Sequence, residues 1–238
     1  MSIVSRTLSD QAFDVVRERI LTGAIPPLAP IRQEALAEEL GISKIPLREA
    51  LGRLEQHGLI ASHPNRGFHV SPLSRAEAEE VFALRAKIEP DAAALASRNA
   101  DEDDRLTARA ALAALEECCA RADPAETAIL NRDFHLSLVR PCRQRLTTQL
   151  VERLHVLSER YARKHLEPEG REDRALHEHR ALLDAWLQRD IPLLTQLTAG
   201  HILSAIEDLR VQLHGEEQRQ AASDVAAGAG TSRRGARK

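Results

Sequence analysis

The chain has 238 residues, a formal net charge of -3, 43% hydrophobic and 29% charged residues, a globular composition with room for one large domain or two smaller ones. No apolar run approaches the roughly 18 residues that cross a bilayer, which excludes a transmembrane protein, and Met1 to Asp10 lacks a basic-then-apolar export signal, so a cytoplasmic protein is expected. Three cysteines, two of them adjacent (Cys118 and Cys119) and none in a CxxC pair, argue against a disulfide scaffold or a zinc ribbon.

Aromatics make up only 3%, so Leu, Ala, Ile and Val must build the core, and the wealth of Ala, Leu, Glu and Arg favours helices. A first helix is predicted from about Ser9 to Gly23, with Phe13, Val16 and Ile20 on one stripe. Pro26, Pro27 and Pro30 forbid helix through the next stretch. A short helix follows from about Gln33 to Leu40 and stops at Gly41. Ser43 is then read as the cap of a third helix, which tolerates Pro46 in its first turn and turns Leu47, Leu51 and Leu54 inward. Two short extended runs, Leu59 to Ser62 and Phe68 to Val70, flank a basic turn of His63-Pro64-Asn65-Arg66-Gly67.

The remainder reads as six helices at about 75–98, 103–121, 125–140, 144–165, 172–188 and 191–214. Asp101, Asp123-Pro124 and Asp190-Ile191-Pro192 are the stop-and-restart signals. The short loops imply an antiparallel bundle. The fold class is therefore mostly α: an N-terminal winged helix-turn-helix over residues 1–73, a helical bundle over 74–215, and an Ala-, Gly-, Ser- and Arg-rich tail over 216–238 that is expected to be disordered. The acid excess lies in residues 76–215, net -6, whereas residues 1–75 carry net +1, so the first segment can approach an anion.

Two helices joined by Gly41-Ile42-Ser43 have the helix-turn-helix spacing, in which the leading end of the second helix enters the major groove. That end carries Lys44 and Arg48, four apart and on one face. Arg is suited to bidentate contact with guanine, and Lys to guanine or phosphate. Asn65, Arg66 and Gly67 at the hairpin tip can reach a neighbouring groove or the backbone. The alternative for Lys44 or Arg48 taken singly is an ordinary surface charge.

Ten histidines are many for this length. His179 and His201 lie about equal distances before and after the turn at Arg189-Asp190-Ile191, so an antiparallel hairpin puts them at one height, each roughly 15 Å from the turn. His135 lies on a third helix, with Asn131 one turn earlier. Three imidazoles and an oxygen can hold a divalent metal with open positions; the alternative is a set of satisfied polar histidines. His155, His165, His177 and His214 have no partner legible from spacing. Arg85 stands in an apolar stretch and can grip a carboxylate effector, pair with Glu89 at i+4, or simply be exposed. Cys142 and the Cys118-Cys119 pair are read as small core residues.

The run from Leu36 to Leu51 (Leu-Ala-Glu-Glu-Leu-Gly-Ile-Ser-Lys-Ile-Pro-Leu-Arg-Glu-Ala-Leu), with Arg53-Leu54-Glu55, Gly58-Leu59-Ile60 and Pro64-Asn65-Arg66-Gly67, resembles the GntR family of bacterial transcription regulators. Residues 76–214 resemble the FCD domain of its FadR-type branch through Val81 to Pro90, Asn131-Arg132-Asp133-Phe134-His135, Glu178 to Leu183, Asp190 and His201. The resemblance implies DNA contacts at Lys44, Arg48 and Arg66. It also implies a metal held by Asn131, His135, His179 and His201 (zinc, nickel or manganese) and a small carboxylate as effector. Lys44 stands where relatives often carry Arg, Glu34 where some carry a phosphate-binding Arg, and Asn131 where the acidic metal ligand is usual. Reading one half-site per chain implies a homodimer on a near-palindromic DNA operator, expected to act as a repressor. The competing reading is a hydrolytic metalloenzyme using the three histidines. HExxH is absent, and Asp133, two residues from His135, points elsewhere on its helix.

Overall fold

The computed structural model describes residues 6–64, 66–121, 124–166 and 171–210. Its first helix, α1 (Leu8–Leu21), begins where Thr7 closes a capping box: the Thr7 hydroxyl accepts from the Asp10 N–H at 3.1 Å, and the Asp10 carboxylate accepts from the Thr7 N–H at 3.1 Å. Reciprocal satisfaction of two orphan donors moves the start one residue ahead of the predicted one. The stretch through Pro26 and Pro30 runs alongside the wing, with the Ile31 N–H donating to the Phe68 carbonyl and the Val70 N–H to that of Ala29.

Helices α2 (Gln33–Glu39) and α3 (Lys44–Gln56) are joined through Gly41 at φ +65°, and a Cβ there would meet no atom within 4 Å. The position needs glycine for its backbone angle, not for space. Ser43 sits at the cap of α3, but its side chain makes no capping bond, contrary to the expectation. Strands β1 (Ile60–His63) and β2 (Gly67–Val70) pair antiparallel, Ile60 opposite Val70 and His63 opposite Gly67. Phe13, Val16, Ile20, Leu47, Leu51, Leu54, Leu59 and Val70 form the core of this unit.

The bundle consists of α4 (Arg75–Asn99), α5 (Glu102–Arg121), α6 (Pro124–Val139), a 3-10 turn (Arg140–Cys142), α7 (Arg145–Leu166), α8 (Arg171–Gln188) and a last helix, α9, described over 191–210. The carboxylates of Asp101 and Asp190 accept from Asp104 and Leu193 N–H groups, capping α5 and α9 as their positions suggest. The single Trp186 is buried and donates to the Leu138 carbonyl at 3.0 Å, tying α8 to α6. Cys118 and Cys142 are buried and Cys119 is half-buried. No helix among the described residues is long and apolar enough to cross a membrane.

Periodicity identified the helices better than it identified their burial. Leu154 and Tyr161 of α7 are buried, but Leu146 and Leu150, which keep the same helical spacing, are 71% and 44% exposed, and Leu84 of α4 is 37% exposed. A 3.6-residue period reports a stripe and not what covers it. The tail 216–238 and Asn65 lie outside the described residues.

Candidate nucleic-acid interface and metal centre

Lys44 opens α3 and Arg48 follows one turn later; both are exposed, while Leu47, Leu51 and Leu54 are fully buried behind them. The amphipathic split thus holds the cations outward on a helix whose other face is locked into a core. Lys44 Nζ bonds the Glu34 carboxylate of α2 at 2.5 Å, and this ammonium beside it holds the Glu34 carboxyl below its usual value. Arg66 is exposed beside Gly67, which adopts φ +72° at the start of β2. Lys44, Arg48, Arg66 and Gly67 therefore all lie at the surface of the winged unit, at the leading end of α3 and on the wing.

In the bundle, His135 of α6, His179 of α8 and His201 of α9 converge, with one ligating atom from each inside a span of 4.8 Å. His135 and His179 are buried and His201 half-buried. The Nε2 atoms of His179 and His201 are 3.3 Å apart. A tetrahedral pair of Zn–N bonds of about 2.0–2.1 Å separates its nitrogens by about that much. Glu178 accepts from His201 Nδ1 at 2.6 Å. A carboxylate oxygen can only accept here, so Nδ1 carries a proton and Nε2 is the nitrogen that faces His179. His135 Nε2 is buried and has no hydrogen-bond partner among the described residues. Burial first, then the neighbouring His179, His201 and His155, hold the His135 imidazole well below its ordinary value, so it is in the neutral, ligating form at neutral pH. An orphaned ring nitrogen on His135, a His201 ring oriented through Nδ1 and three converging imidazoles fit a divalent transition metal. Asn131 lines a small pocket with His179, Thr127, Leu115, Cys119, Ala175 and Leu176. Cys119 enters that lining without any sequence signal, because α5 meets α8 only in the folded bundle.

Arg85 is buried and already holds a carboxylate. Its Nε donates to Glu89 at 2.5 Å and its Nη1 to Ser158 at 3.0 Å, while Nη2 lies 3.2 Å from His155 Nε2. The i+4 pair weighed against effector contact is therefore present, and the guanidinium expected to grip an effector is occupied by Glu89. His155, without a partner in the sequence reading, is in this same network, 3.2 Å from Glu89. Burial alone would push Glu89 up; Arg85 and His155 outweigh it and hold the carboxyl at about 2. His135 and His155 ring centroids are 5.4 Å apart, so the charge network adjoins the histidine centre. Asp133 pairs with Arg132 at 3.2 Å and is not among the clustered ligand atoms.

Comparison with known proteins gives two family matches: bacterial regulatory proteins, gntR family, over residues 8–70, and the FCD domain over residues 80–204. The HTH-type transcriptional regulator BphR of Paraburkholderia xenovorans is 31% identical over 213 residues, covering 86% of each chain. The HTH-type transcriptional repressor GlaR of Escherichia coli is 28% identical, covering 84% of this chain and 94% of its own. Among solved structures, E. coli McbR/YncC superposes with a TM-score of 0.76 at 24% identity, over 87% of this chain and 99% of that one. A GntR regulator from Rhodococcus sp. RHA1 superposes at 0.71 and 18% identity, over 84% and 96%. At those identities the structural likenesses establish the fold.

Proposed function

The chain belongs to the GntR family of bacterial regulators, with an FCD domain following its helix-turn-helix, and on that premise we propose that it is a ligand-responsive repressor. Residues 1–73 bind a near-palindromic operator, and residues 74–215 dimerise and bind a small carboxylate at a metal held by Asn131, His135, His179 and His201. The convergence of three imidazoles from three helices carries this reading.

Each winged unit presents one α3 and one wing, enough for one half-site, so a palindrome calls for two copies. Leu146 and Leu150, one turn apart and exposed on α7, offer apolar surface to a second copy. Lys44, Arg48 and Arg66 would supply the groove and phosphate contacts, with Gly67 at the start of β2 beside Arg66; Asn65 is proposed as a further DNA contact. When bound, a divalent cation supplies positive charge and open coordination positions for an anion. Asn131 offers a neutral amide oxygen in place of a carboxylate, which leaves more of that charge for the effector. Arg85 adds its field to the site through its own buried network; a direct bond to effector requires breaking its pair with Glu89. Effector binding shifts operator affinity by as much as its affinities for the two DNA-binding states differ.

The hydrolytic alternative has less support: the relatives are named as transcriptional regulators, and the carboxylate beside the histidines, Glu178, is engaged by His201 and Arg174. The test is elemental analysis of the purified chain, then calorimetry with zinc, nickel, manganese and a panel of small carboxylic acids. One divalent metal per chain is expected, with uptake lost in the His179→Ala/His201→Ala double variant while DNA binding persists. A chain that takes up none of the three metals would overturn the metal centre.

A further inference from the structure

We propose that Arg17, Glu159 and Arg132 form the joint through which the histidine centre in the bundle sets the position of the DNA-binding unit, an inference that rests on the metal reading above. The seam between the two units runs along α7. Val156 of α7 is buried within the hydrophobic cluster of the winged unit. Leu157 lies against Gly58, close enough that a Cβ there would sit 3.2 Å from its methyl. Arg160 donates to the Ser71 and Pro72 carbonyls, and the Tyr161 hydroxyl accepts from the Ser74 N–H at 3.2 Å and donates to Glu77 at 3.0 Å. The connecting segment is thus pinned to α7 by two consecutive side chains.

Three charges from three helices meet at this seam. Arg132 of α6 donates to Glu159 of α7 at 2.5 Å, with the two side chains 10% and 3% exposed. The second carboxylate oxygen, Glu159 Oε2, is buried with no hydrogen-bond partner among the described residues. On α1, the Arg17 Nε is also buried without one. Arg17 lies within electrostatic reach of both: Arg132 repels it, and Glu159, Asp14 and Asp133 attract it. A buried orphan donor on the DNA-binding unit and a buried orphan oxygen on the bundle are costly when unmatched. A slide of α1 along α7 that brought them together would give the seam a second arrangement built from groups already in place.

Arg132 connects that seam to the histidine centre. It stands next to Asn131 and three residues before His135 on the same helix, so any shift of α6 that changes how Asn131 and His135 face α8 and α9 would also move Arg132 relative to Glu159. Glu159 is then released towards Arg17. Arg17, Glu159 and Arg132 are positioning residues in this scheme; none touches DNA or metal.

The experiment uses the full-length protein and a duplex that the wild type selects from a randomised pool. Duplex affinity is read by fluorescence anisotropy with and without zinc, and zinc uptake by calorimetry, for wild type, Glu159→Gln, Arg17→Met and Arg17→Lys. Zinc should change wild-type DNA affinity by about fivefold or more, the usual scale of allosteric coupling. Glu159→Gln and Arg17→Met should take up zinc within about twofold of wild type yet respond to it by less than twofold, while Arg17→Lys, which keeps the charge, retains the response. A merely structural role would lower the melting temperature and leave the zinc response intact. Wild-type zinc response in both Glu159→Gln and Arg17→Met overturns the joint, as does zinc uptake by wild type with no change in DNA affinity. Failure of wild type to take up zinc is a separate readout; it overturns the metal reading and the joint with it. Circular dichroism checks the fold of each variant, and Arg17→Met decides the matter if Glu159→Gln does not fold.

Discussion

The winged unit and the bundle treat charge in opposite ways. In the winged unit Lys44, Arg48 and Arg66 stand in solvent, and the pair of Lys44 with Glu34 leaves their side chains 56% and 84% exposed. In the bundle the pairs of Arg85 with Glu89 and Arg132 with Glu159 are sealed within the core. An exposed pair contributes about 0–1 kcal/mol, whereas removing one partner of a buried pair costs about 3–5 kcal/mol, because the other is left charged and dry. The winged unit can therefore exchange cations to suit a DNA sequence without endangering its fold. The bundle has committed its charges to the fold, so any charge added beside them meets a network that is already balanced.

The strongest way to break this contrast is Glu89→Ala, which leaves Arg85 buried against Ser158 and His155 without its carboxylate. A loss of about 3–5 kcal/mol in urea unfolding is expected, and a loss below about 1 kcal/mol would falsify the buried-pair account.

The next effect is a pH dependence of stability. Burial pushes the Glu159 carboxyl up from 4.5 to about 7, in spite of Arg132 and Arg17. The folded state thus holds this proton more tightly than the unfolded chain. Its contribution is fully present below pH 4.5 and is lost as pH rises through about 7. Asp10 in the winged unit has the opposite sign: bonds from Thr7 and then Arg53 bring it from 3.8 to about 2, so its contribution is present above pH 3.8 and lost as pH falls through about 2. Urea unfolding across pH 4.5–7.5 should show the fall in wild type and a flatter profile in Glu159→Gln. An unchanged slope would count against a buried, titrating Glu159.

On the exposed side, Arg48→Ala should weaken binding to the selected duplex by about 1–3 kcal/mol with an unchanged melting temperature. Full affinity in this variant would remove α3 from the interface. The smallest effect is expected for Lys44→Ala: stability within about 1 kcal/mol of wild type, and a salt dependence of duplex binding reduced by about one ion if the ammonium holds a phosphate. An unaltered salt slope would assign Lys44 to its partner Glu34 alone.

Much of the fold follows from local rules visible in the sequence. The 3.6-residue period and the aspartates at 101 and 190 marked the bundle helices to within a few residues, and glycine at 41 with the turn at 63–67 marked the helix-turn-helix and wing. Equal spacing about Arg189 put His179 and His201 at one height, and their ring nitrogens lie 3.3 Å apart. Backbone hydrogen bonding and side-chain period act over a few residues, so one chain segment suffices to state them. Which charges would be buried, and against what, was not legible. His155 meets Arg85 across 70 residues of sequence, Glu159 meets Arg132 across 27, and Arg160 reaches Ser71 across 89. Leu146 and Leu150 keep the helical period yet stand in solvent. The sequence by itself determined the helices, the caps at Asp101 and Asp190 and the surface cations at the leading end of α3. Only tertiary structure decided the buried ion pairs, the orphaned atoms at the seam and the meeting of His135 with the hairpin histidines, because desolvation and pairing depend on helices that pack together from distant parts of the chain.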